Sequence, residues 1–148
     1  MHVVICSLVK NGMKYLPAYR KQLEALHLPE NVSWSLCILE GDSDDGTWDY
    51  LVQWASECGQ IVIGREDVGD PLAGEGIDGR AVRWARAGNA CLELMVAVPE
   101  YSHILWMESD LCFPLDLLAR LLAHEVDIVS PMIWIGGHFY DTWGFRDL

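Results

Sequence analysis

The feature that most constrains this chain is a series of short apolar runs that do not alternate with polar residues. "VVICSLV" (residues 3 to 9), "WSLCILE" (34 to 40), "QIVIG" (60 to 64) and "HILWM" (103 to 107) are strand-length rather than helix-length. A strand with one wet face alternates, whereas a strand covered on both faces need not. Helical spacing fills the gaps. Tyr15, Leu16, Tyr19, Leu23 and Leu26 predict a first helix stopping near Pro29; Trp48, Leu51, Ala55 and Cys58 predict one face of a second; Val82, Ala85, Asn89, Leu92 and Val96 predict the stripe of a third. "PLDLLARLLAH" predicts a fourth with Pro114 near its first turn, and "DIVSPMIW" (127 to 134) predicts a fifth strand. Strands alternating with helices imply one α/β domain over residues 1 to 148, a mostly parallel sheet with helices on both faces. In such sheets ligands bind beyond the carboxyl ends of the strands.

Composition narrows the partners. A formal charge of -12 argues against nucleic acid, whose recognition needs clustered Lys and Arg to displace counterions. No stretch approaches the ~20 apolar residues of a membrane span, and the first residues do not read as a signal peptide, so the expected location is the cytoplasm. Cys6, Cys37, Cys58, Cys91 and Cys112 form no C-x-x-C pair and mostly lie in apolar runs, which predicts buried free thiols. The glycine-rich connection "GREDVGDPLAGEGIDG" (64 to 79) has no apolar periodicity and is expected to be a flap over the ligand edge.

Acidic residues gather at that edge. In "EGDSDDGT" (40 to 47), Glu40, Asp42, Asp44 and Asp45 crowd a strand-to-helix turn. Capping of the following helix accounts for one or two of them. Carboxylates packed together call for a compensating donor or cation, and the ring nitrogens and hydroxyls of a nucleoside are suitable donors. In "WMESDL", Glu108 and Asp110 stand at i and i+2, so on a pleated strand both would project to one side, where Mg²⁺ or Mn²⁺ takes a few carboxylates plus phosphate oxygens. The alternative is that Asp110 caps the next helix. Arg80, Arg83 and Arg86 recur at helical spacing and suit either a diphosphate or solvent. His138, Asp141 and Asp147 offer a ligand or a base, or merely a polar segment.

Together these residues resemble a nucleotide-sugar glycosyltransferase of the Rossmann-like glycosyltransferase A fold. "EGDSDDGT" resembles the acidic turn after the second strand of those enzymes, and "WMESDL" resembles their Asp-x-Asp metal strand with Glu108 at the first acidic place. The order of "EGDSDDGT", an Arg-rich helix with Asn89, "ILWMESDLCFP", "DIVSPMIW" and "FYDTWGFRD" is similar to family 2-like enzymes and to fungal mannosyltransferases of the mannan-polymerase and capsule-associated types. The resemblance implies transfer of a sugar from GDP-mannose or a UDP-sugar to a hydroxyl on a glycan or similar acceptor, with Mn²⁺ or Mg²⁺. By position it implies that Glu40 and Asp42 contact the base or ribose and that Asp45 supports their turn. Glu108 would reach the ribose or a metal-bound water, Asp110 would be the direct metal ligand, and Arg80 or Arg83 would assist the diphosphate. Asp141 is the implied base if transfer inverts, and Trp134, Tyr140 and Trp143 would face sugar. Gly88 stands where the related helix tends to carry Arg, and related domains run on past this point, so a C-terminally truncated domain is expected. The alternative function is a non-catalytic nucleotide- or glycan-binding domain of the same fold. A nucleotidyltransferase ranks last, because "SLVKNGMKYL" lacks a Gly-rich basic loop.

Overall fold

The computed structural model describes residues 1 to 67 and 76 to 139, without the side chains of residues 76 to 78, 80 and 139. Strand β1 (His2–Val9) leads to helix α1 (Leu16–Glu24), β2 (Ser33–Glu40), α2 (Thr47–Glu57) and β3 (Ile61–Arg65). Helix α3 (Gly76–Leu94) then crosses to β4 (His103–Trp106), followed by α4 (Leu117–Leu122) and the short strands β5 (Trp134–Ile135) and β6 (His138–Phe139). β1 to β4 form a parallel sheet in the order β3-β2-β1-β4. The Rossmann-like α/β architecture expected from the sequence is therefore the one observed. No helix among the described residues is long and apolar enough to cross a membrane.

The absence of alternation in the strands has a direct cause. Val3, Ile5, Trp34, Leu36 and Ile38 pack with Leu16, Tyr19, Leu23, Leu51 and Trp54 of α1 and α2. Their in-between neighbours Val4, Cys6, Cys37 and Leu39 pack with Ala87, Cys91 and Met95 on the α3 side. Both faces of the central strands are dry, so both sets are apolar; the expectation fails for β4, which lies at the sheet's edge among the described residues with Ile104 51% and Trp106 41% exposed. Cys6, Cys37 and Cys91 are buried free thiols as expected, while Cys58 is half-buried and Cys112 exposed.

Four expectations about the elements need correction. The buried stripe of α3 is Ala87 and Cys91, continued by Met95 just past its end, not the one read from Val82 to Val96: Val82 is 68% and Val96 91% exposed. Small side chains let α3 lie close on the sheet, and the larger apolar residues that suggested a stripe face outward. In α2 the fully buried residues are Thr47, Leu51 and Trp54, with Ala55 and Cys58 only partly covered. The fifth strand does not form over 127 to 133. Pro131 has no N–H for a ladder, and β5 pairs instead with β6 around Gly136 and Gly137, whose φ values of 57° and 83° suit a two-residue hairpin turn. Residues 76 to 79 of the expected flap are the first turn of α3, and 68 to 75 lie outside the described residues.

The turn from β1 into α1 depends on Gly12. A Cβ there would stand 2.3 Å from Val9 Cγ2, which is β-branched and buried. Gly12→Ala is expected to cost about 1–3 kcal/mol through overpacking, seen as a lower urea midpoint at unchanged slope.

Candidate functional site

The strand order fixes where a ligand belongs. From β1 the chain steps outward to β2 and β3, then returns across the sheet to β4 on the other side of β1. The strand order thus reverses between β1 and β4, and their carboxyl ends are where a ligand is expected. A hollow of about 300 Å³ occupies this place. Leu8, Val9 and Leu39 from the strands and Ala87 from α3 give it apolar walls. Lys10, Asn11 and Gly12 after β1, Arg83 and Trp84 on α3, and Glu108, Ser109 and Asp110 after β4 supply its polar rim.

Glu108 and Asp110 lie beyond the end of β4, not on a pleated strand, with Ser109 and Asp110 in a turn. Both still line the hollow. Burial and then the neighbouring Asp110 carboxylate push Glu108 above the usual carboxylate range, against a hydrogen bond from Trp106. Two like charges facing one space, each with hard oxygen donors, are the chemistry that suits Mg²⁺ or Mn²⁺ completed by water and phosphate. Among the described residues no third His, Cys, Asp or Glu joins them into a metal-sized cluster. Asp110 is exposed and caps no helix: α4 begins at Leu117 with Asp116 before it.

The acidic turn after β2 is divided in its duties. Glu40 is fully buried; its Oε1 accepts the Ser43 N–H, and Arg65 Nε lies 2.8 Å from its Oε2 as an ion pair without the alignment of a hydrogen bond. Asp45 Oδ1 accepts from the Thr47 N–H at 3.0 Å and hydroxyl at 2.5 Å, and its Oδ2 accepts the Met13 N–H at 3.0 Å. Asn11 N–H donates to Ser43 Oγ, Gly12 N–H to Thr47 Oγ1, and Asp44 N–H to Asn11 Oδ1. These bonds fasten the loop after β1, which lines the hollow, to the start of α2. Gly46, at φ 89°, supplies the left-handed residue ahead of that helix. Asp42, also left-handed at φ 59°, stays exposed, one residue after the hollow-lining Gly41.

The Asp45 carboxyl makes the fastening pH-dependent. Its partial removal from water acts upward, but hydrogen bonds from Thr47 and the Met13 backbone outweigh that and hold it below its usual value. A depressed acid adds stability above its unfolded pKa and loses it as pH falls through the folded value. Asp45→Asn is therefore expected to lower the melting temperature at pH 7, with the gap to the native chain closing below about pH 4. A constant gap down to pH 2 would show that Asp45 acts by shape, not charge.

Of the residues singled out by sequence, Arg83, Glu108 and Asp110 meet in the hollow. Glu40, Asp42 and Asp45 stand beside it, engaged with Arg65, Thr47 and Met13. Asn89 lines a separate recess with Glu66, Ala85 and Arg86. His138 is exposed on β6. The Arg80 side chain and Tyr140, Asp141, Trp143 and Asp147 lie outside the described residues. Lys10, Asn11 and Gly12 were not anticipated as site residues, although an Asn-Gly pair directly after a buried strand marks a turn at the ligand edge. Arg65 was missed because it stands one residue beyond the apolar run that marked β3.

No family model and no curated protein matches the chain. Crystal structures of the S. aureus glycosyltransferase TarS do resemble it. TarS 1–349 in complex with UDP matches with a TM-score of 0.59 at 14% identity, over 83% of this chain and 31% of that one. TarS 1–349 in complex with UDP-GlcNAc matches with a TM-score of 0.53 at 14% identity, over 83% and 30%. At such identity the likeness is one of fold, and this chain spans under a third of the TarS chain. It supports a glycosyltransferase-like fold and lends no support to the fungal mannosyltransferase type expected from the sequence.

Proposed function

We propose that this chain forms the donor-binding part of a metal-dependent glycosyltransferase, which moves a sugar from a nucleoside-diphosphate sugar to a hydroxyl of a glycan or similar acceptor. The observation that carries the reading is the meeting of Arg83, Glu108 and Asp110 in one hollow at the sheet's switch point. It is supported by a fold like that of TarS, whose structures hold UDP and UDP-GlcNAc.

Asp110 and Glu108 would hold Mn²⁺ or Mg²⁺, which when bound offsets the charge of the departing nucleoside diphosphate. Arg83 and Lys10 would face the same phosphates from α3 and from the end of β1, where their charges need no rearrangement during transfer. Asp42 would accept from the nucleoside's hydroxyls or ring N–H groups, with Asp45 holding the turn. Glu40, buried and engaged, would serve from behind. Asp141 remains the candidate base for an inverting reaction, by resemblance. The UDP-bound likeness favours a UDP-sugar over GDP-mannose as the first donor to try.

Calorimetry with UDP and GDP, each with and without Mn²⁺, tests this reading. Metal-assisted binding of either nucleotide is expected, together with slow sugar release from the matching donor. Binding without release or transfer across an acceptor panel would favour a non-catalytic nucleotide-binding domain, and no binding at all would refute the donor site.

A further inference from the structure

The acidic turn after β2 has its own cation. Arg65, the last residue of β3, stands opposite Glu40 in the strand register. Its Nε lies 2.8 Å from Glu40 Oε2, and a terminal guanidinium nitrogen donates to Asp42 Oδ1 at 3.2 Å. The guanidinium also lies over the Trp48 ring, 5.5 Å from its centroid. Glu40 is wholly enclosed, whereas the Asp42 side chain is 56% exposed beside the hollow's rim. The two acids differ in what they can do: Glu40 reaches no ligand without being dug out of the core, and Asp42 reaches one freely.

The geometry points to Arg65 as a positioning residue for nucleoside binding: anchored by Glu40 and Trp48, it fixes the Asp42 carboxylate beside the hollow. This deepens the donor-binding reading above and rests on it. An exposed carboxylate on a left-handed loop residue samples several rotamers, and binding must freeze them. A partner that holds one rotamer beforehand removes that entropic loss. Arginine suits the task because its planar fork reaches two carboxylates while its face stacks on an indole; lysine offers a single point charge.

The test is titration of UDP and GDP, with Mn²⁺, into the full chain and its variants. Asp42→Asn and Arg65→Met are each expected to weaken binding about tenfold. In the Asp42→Asn background, Arg65→Met should weaken it little further, because the carboxylate it positions is already gone. Arg65→Lys should recover part of the affinity. Since Arg65→Met strands a buried charge on Glu40, the double variant Glu40→Gln/Arg65→Met is measured as well, and should bind as weakly while keeping a cooperative melt. A merely structural Arg65 would lower the melting temperature and leave the dissociation constant unchanged, and that result would overturn the proposal, as would fully additive losses with Asp42→Asn. Failure of the native chain to bind either nucleotide would remove the donor-binding reading itself, and the positioning role with it. Arg120→Gln, which breaks an exposed pair with Asp116, is the control expected to change nothing.

Discussion

Replacing Asp110 with alanine is expected to weaken Mn²⁺-assisted binding of UDP or GDP by about a hundredfold, while leaving metal-free binding as it was. Asp110 is the more available of the two acids that line the hollow after β4. It is exposed, lines the hollow and caps no helix. Glu108 is half-buried, and burial pushes its carboxyl upward, so it is the poorer ligand of the pair when left alone. A small hard cation that loses one of two carboxylates keeps water and phosphate but little that ties it to the protein. The fold should not suffer, because a substitution at an exposed turn residue usually changes stability by no more than about 0.5 kcal/mol. The substitution also removes the like charge next to Glu108, so the Glu108 titration should move down. Isothermal titration with Mn²⁺ and with chelator, beside an NMR titration of the glutamate carboxyls, reads all of these effects. If the variant and the native chain show the same metal dependence, Asp110 is not a metal ligand.

The fold was legible where the physics is local or symmetric. Runs without alternation report the covered strands β1 and β2, where Val4, Cys6, Cys37 and Leu39 are apolar for that reason alone, but not β4, whose Ile104 and Trp106 are exposed. The same patterns misread α3. Ala87 and Cys91 carry its buried face because α3 sits close to the sheet, and a search for large apolar residues passes over small ones that mark close approach. The expected strand after α4 failed for a related reason: apolar content suggested it, but Pro131 and the Gly136–Gly137 turn decide the backbone. At the site, residue chemistry located the edge and not the duties. Four acids in one turn gave no hint that Glu40 is enclosed, that Asp45 is occupied with Thr47 and Met13, or that Arg65 stands behind Asp42. Those distinctions arise from the parallel register and from which loops meet above it, and neither is written in any single segment.

Trp54→Ala is expected to cost about 3–5 kcal/mol, a large share of the roughly 5–15 kcal/mol that keeps a domain of this kind folded. Trp54 is fully buried on α2, one turn beyond Leu51, in the cluster that joins α1 and α2 to the sheet. The Arg20 guanidinium lies over its ring at 5.6 Å from the centroid, and the Tyr50 ring is tilted against it at 6.4 Å. From there Arg20 reaches Glu24 on its own helix and Glu57 on α2, each at 2.8 Å. The indole is therefore the floor on which the contact between the two helices is built, and the ion pairs are its partly exposed roof. Removing the roof should matter less: Arg20→Met is expected to cost about 1 kcal/mol or less, since exposed pairs contribute little. Trp54→Phe should fall between the two, because it keeps most of the buried area and discards an indole N–H that finds no hydrogen-bond partner among the described residues. Urea unfolding of the three variants orders them, and a larger loss for Arg20→Met than for Trp54→Ala would mean that charge, not packing, binds α1 to α2. Thr47, at the other end of α2, is tied to Gly12 and Asp45, so loosening α2 at Trp54 should reach the hollow as well. Nucleotide affinity in the folded Trp54→Ala protein is expected to fall along with stability, whereas Arg20→Met leaves it unchanged.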